Sequence, residues 1–101
     1  MDFDGLIELA LRSKQRELEV RQSDIQARQD EINVYAIILV LGGTVGVTNY
    51  VSLIKTIKDE IMELKRFEEA ILNEINLLEK SLSLSQGEKN EIMLRVQQFA
   101  S

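Results

Sequence analysis

The sequence predicts an all-α protein: an extended single-pass transmembrane helix flanked by amphipathic and coiled-coil helices. The alternative it leaves open is an antiparallel helical hairpin turned at Gly42-Gly43. Three observations lead there. Proline is absent and the five glycines are confined to Gly5, Gly42, Gly43, Gly46 and Gly87, so the long stretches between them are built from helix-compatible residues. Apolar residues recur every seven positions on both sides of the middle. Finally, no residue between Glu31 and Lys55 carries a charge, in a chain that is 29% charged.

Residues 1–33 read as an amphipathic helix. Asp4 is the expected cap, with Leu6 and Ile7 entering the first turn. Leu11, Leu18, Ile25 and Ile32 recur every seven residues, and a second column runs beside them at Gln15, Gln22 and Gln29. With Gln at a and Leu or Ile at d, this is a weak seam. Each amide layer buries less apolar area than Leu and needs a hydrogen-bond partner. Glu8 with Arg12, Glu17 with Arg21 and Asp24 with Arg28 lie at i,i+4 with the acid first, the order that favours helix.

Residues 34–54 read as the transmembrane helix. As one helix they rise about 32 Å, close to the hydrocarbon thickness of a bilayer. Their mean hydropathy of roughly 1.8 lies in the transmembrane range. Ala36, Ile37, Ile38, Leu39, Val40 and Leu41 are apolar on every side, and Tyr35 and Tyr50 lie near the two ends, where aromatic belts form. Gly42 and Gly46 make a small-xxx-small pair with Asn49 about one turn further on, a candidate packing face between copies. The plainer reading is that lipid tolerates the glycines and Asn49 sits near the headgroups. Thr44, Thr48 and Ser52 can bond back to their own helix. The flanks carry four basic residues each, and Lys55 and Lys58 lean the C-terminal side toward the cytoplasm.

A turn at "GGTVG" gives the hairpin instead. Its arms match when paired residue numbers add to 89, so that Leu11 meets Leu78, Leu18 meets Ile71, Ile25 meets Leu64 and Ile32 meets Ile57. That arrangement leaves the outer sides of Ile37, Ile38, Val40 and Leu41 in water, and so calls for a larger oligomer or a tip dipped into a membrane.

Residues 55–84 carry the cleaner heptad and read as a coiled coil. Its interface is Ile57, Ile61, Leu64, Ile71, Ile75, Leu78 and Leu82, preceded by Ile54 and interrupted by Glu68. Ile at a with Leu at d favours a parallel dimer, although Ile57 and Ile71 fall at d. Residues 85–101 follow the weakened stretch "SLSQGEK" as a short helix or tail, with Gly87 the expected bend or cap.

Composition narrows the function. One domain fits in 101 residues, and no leader is apparent, because the only long apolar run begins a third of the way in. Seventeen acids against 12 bases, a net charge of −5, argue against nucleic acid. Without Cys or His, the commonest nucleophile–base pairs and zinc sites cannot be built from this chain. Glu68 and Glu69 are the best adjacent carboxylates and read as a register-setting polar layer before a proton or metal site. No catalytic, cofactor or metal residues are expected, and no small-molecule substrate.

The expected function is therefore structural: a non-enzymatic membrane scaffold joining a bilayer to protein layers by helix packing. Its partners would be lipid and either further copies or partner helices, in a cellular membrane or the internal membrane of a virion. In layout, a span followed by heptads, the chain resembles small bitopic coiled-coil proteins of bacterial cell division. It is also similar to the small membrane-embedded scaffolds of viruses with an internal lipid layer. The second resemblance implies helices on both faces of one bilayer. Two alternatives belong to other classes: a holin-like pore former using Gly42, Gly46, Thr48 and Asn49, and a soluble hairpin that oligomerises through its tip.

Overall fold

The computed structural model describes the backbone of residues 2–42 and 47–100 and the side chains of residues 2–42 and 49–99. These residues form three helices: α1 (Phe3–Gly42), α2 (Val47–Ser81) and α3 (Gln86–Ala100). α1 and α2 pack as an antiparallel hairpin. Cross-helix partners show the sense of the pairing, because their numbers rise along α1 as they fall along α2. Arg21 lies over the Phe67 ring, Arg28 pairs with Glu60, and Tyr35 stacks near Tyr50.

The hairpin replaces the expected continuous helix through residues 34–54. That segment is divided between the end of α1 and the start of α2, and Gly43 and Gly46 lie outside the described residues. Among the described residues, no helix is long and apolar enough to cross a membrane. The physical reason lies in the arms. Two heptad stripes of matching length can bury each other within one chain, which a straight helix would leave to other copies.

α1 is capped two residues earlier than expected, by Asp2 and not Asp4. The Gly5 amide donates to Asp2 Oδ1 at 2.8 Å, and the Leu6 amide to the Asp2 carbonyl at 3.1 Å. Asp4 instead accepts from Lys89 Nζ at 3.0 Å. α2 ends in a run of i→i+3 bonds in which the Leu82, Ser83 and Leu84 amides donate to the carbonyls of Glu79, Lys80 and Ser81. A capping box then starts α3. The Glu88 amide donates to Ser85 Oγ at 3.2 Å, and the Ser85 amide to Glu88 Oε1 at 3.4 Å. The break is thus made by Ser85 and Glu88, while Gly87 sits inside the first turn of α3 with open space around it.

The chain divides into two compact units. One comprises Leu18–Ala70, the other Met1–Glu17 with Ile71–Ser101. In the first, Ile25, Ile57 and Ile61 form a buried cluster against which Ile32, Tyr35 and Leu64 pack. Ile57 is only 2% exposed. In the second, Phe3, Ile7, Ile71 and Ile75 are buried, and Lys89 of α3 reaches both Asp4 and the face of Phe3, 5.6 Å from its centroid. The heptad read as favouring a parallel dimer therefore buries Ile57, Ile61, Ile71 and Ile75 inside a single chain. Leu78 is half-buried and Leu82 exposed.

α1 differs from expectation in its second column. Gln15, Gln22 and Gln29 are exposed, and the residues beside Leu11, Leu18, Ile25 and Ile32 on the packed side are Lys14, Arg21, Arg28 and Tyr35. Lys14 pairs with Glu74, Arg21 with the Phe67 ring and Arg28 with Glu60; each pair's numbers add to 88. Long basic side chains suit this column because their aliphatic stems cover the seam while the charged heads reach acids at its edge.

Candidate functional site

The candidate site is the pair of helix ends next to residues 43–46. From Ile32 to Gly42 α1 carries no charge, and from Val47 to Ile54 neither does α2. Inside this tip, Tyr35 and Tyr50 close the seam with ring centroids 5.6 Å apart and planes inclined at 38°. The Tyr35 hydroxyl donates to Glu31 Oε1 at 3.3 Å, and Glu31 also accepts from Arg28 at 3.1 Å. The last charges on α1 are thereby held in a local network.

The tip's outer sides are largely apolar, with Asn33, Asn49 and Ser52 also exposed. Val34, Ile37, Ile38, Val40 and Leu41 on α1 and Val51 and Leu53 on α2 are exposed, Val40 and Leu41 at 82% each. Among the described side chains of this region only Ile32, Tyr35, Leu39, Tyr50 and Ile54 are half-buried. A two-helix seam has one inward stripe per helix, so a helix that is apolar all round must leave most of its apolar surface outside. No charge intervenes among these side chains.

The expected packing face between copies involves Gly42, Gly46 and Asn49. Gly42 ends α1 with nothing within 4 Å of where a Cβ would stand, Asn49 is exposed, and Gly46 lies outside the described residues. Glu68 is half-buried and Glu69 exposed. Among the described residues no polar or charged side chain is buried, and none form a metal-binding group. The basic column of Lys14, Arg21 and Arg28 was signalled only by its seven-residue spacing. The hydrogen bond to Glu74 holds the Lys14 ammonium above the ordinary lysine range.

At the edge of the tip on α2, Val51, Ile54, Lys55 and Lys58 line an open groove. Neither lysine joins any of the ion pairs formed among the described residues. Comparison with protein-family models, curated proteins and solved structures gave no match.

Proposed function

We propose that this chain is a non-enzymatic membrane-associated scaffold that inserts the tip of its helical hairpin into one leaflet of a bilayer. The observation that carries this reading is the charge-free tip with its apolar outer sides. Eleven residues of α1 (32–42) rise about 16 Å and eight of α2 (47–54) about 12 Å, against roughly 15 Å for half the hydrocarbon core. Transferring seven large apolar side chains from water is worth on the order of 10 kcal/mol before the entropy of association is subtracted. Within both helical segments the backbone satisfies its own hydrogen bonds, apart from the last four carbonyls of α1 and the first four amides of α2, which have no partner in their own helix and must find one at the tip. The charged parts of both helices stay in water, where their surfaces are available to further copies or to partner helices.

Flotation with vesicles of mixed neutral and anionic phospholipid tests the reading. The protein should float with the vesicles without releasing an entrapped dye, because a tip in one leaflet opens no path across the bilayer. Val40→Asp with Leu41→Asp should leave it at the bottom of the gradient with unchanged helicity. A protein that never floats, but sediments as an oligomer dispersed by the same two substitutions, would show that the tips cover one another instead. Dye release would favour a pore.

A further inference from the structure

We infer that the groove of Val51, Ile54, Lys55 and Lys58 receives an anionic phospholipid, so that the tip distinguishes lipid headgroups by charge. The inference rests on the insertion reading above and goes beyond it by naming the class of lipid. Val51 and Ile54 supply an apolar floor at the end of the charge-free segment. Lys55 and Lys58, three residues apart on the same helix, stand at the edge where that segment gives way to charged sequence. An acyl chain needs the first pair and a phosphate the second, in this order from the tip outward.

The charge environment supports it. Of the acids near this edge, Glu31 and Glu60 both pair with Arg28, and Asp30 accepts from the Gln26 amide at 2.9 Å. Asp59, the acid nearest in sequence to the lysines, pairs with neither. Among the described residues the two ammonium groups thus form no ion pair beside an apolar surface, and both side chains are exposed. The preference runs against the chain's overall charge of −5, which by itself would repel an anionic surface. A local site and a whole-molecule field consequently predict opposite results.

The test compares co-sedimentation of the full chain with pure phosphatidylcholine vesicles and with vesicles in which part of that lipid is replaced by phosphatidylserine, at low salt. Binding should be tighter to the anionic vesicles by about fivefold per lysine, roughly 25-fold in all. Lys55→Gln with Lys58→Gln should remove that gain and leave binding to neutral vesicles unchanged. Equal binding to both vesicle types by the unaltered chain overturns the inference while leaving tip insertion standing. A preference that survives in the double variant also overturns it. Binding to neither vesicle sinks the insertion reading and this inference with it. Circular dichroism of the double variant should match that of the parent, since both side chains are exposed.

Discussion

The Arg21 guanidinium lies over the ring of Phe67, 5.3 Å from its centroid, and this contact sits midway along the column of basic residues that α1 turns toward α2. The same column supplies Lys14 to Glu74 and Arg28 to Glu60. A cation over an aromatic face at a partly exposed site is worth about 0.5–1 kcal/mol. A double-mutant cycle of Arg21→Ala and Phe67→Ala, read by urea denaturation, should return a coupling in that range. A coupling of zero would mean that the pairing does nothing to hold the register.

Ile57 and Leu41 should separate stability from function. Ile57, 2% exposed beside Ile25 and Ile61, should cost about 2–5 kcal/mol as Ile57→Ala. Leu41 is 82% exposed, so Leu41→Ser should change stability by no more than about 0.5 kcal/mol while weakening vesicle binding. Loss of fold in the Leu41 variant would show that the tip is packed in the free protein.

The exposed glutamines make a sharper contrast with the seam. Gln15→Ala, Gln22→Ala and Gln29→Ala together should leave the unfolding midpoint nearly unchanged or slightly raised, because alanine is the better helix former and no buried amide is lost. Ile25→Ala in the same helix should be strongly destabilising. A large loss from the triple variant would restore the glutamines to a packed interface between copies.

Alkaline pH should weaken the fold at Lys14. Its folded-state pKa is raised above the ordinary 10.5, chiefly by the hydrogen bond to Glu74, so the folded state holds the proton more tightly than the unfolded chain. The stabilisation is complete below the unfolded pKa and disappears as pH climbs through the folded one. The unfolding temperature should therefore fall above about pH 10, and Lys14→Gln should reduce the slope. An identical slope in parent and variant would remove Lys14 from the account.

Much of the architecture could be read from spacing alone, and the misreadings share one cause. Ile25, Ile32, Ile57 and Leu64 come together because two heptad stripes coincide at offsets seven residues apart, and the expected offset differs by a single residue from that of the ion pairs. The second column of α1 was not legible. From Leu11, both Lys14 and Gln15 lie on a neighbouring position of the same face, and the choice between them is made by Glu74, Phe67 and Glu60 on the other helix. Span and hairpin were indistinguishable for the same reason. A charge-free run around Gly42 has one composition in either form, and the deciding information is the fit of arms that lie on both sides of it. Asp4 as cap was a local misreading, since Asp2 and Asp4 are equally good capping residues two positions apart.

Protease digestion of the chain bound to sealed vesicles tests the central claim most directly. A hairpin inserted from one side predicts that segments 1–31 and 55–101 are both cut from outside, leaving in the membrane a protected fragment centred on residues 32–54. Protection of one flank alone would mean that the chain crosses the bilayer, and the absence of any protected fragment would mean that the tip does not enter lipid.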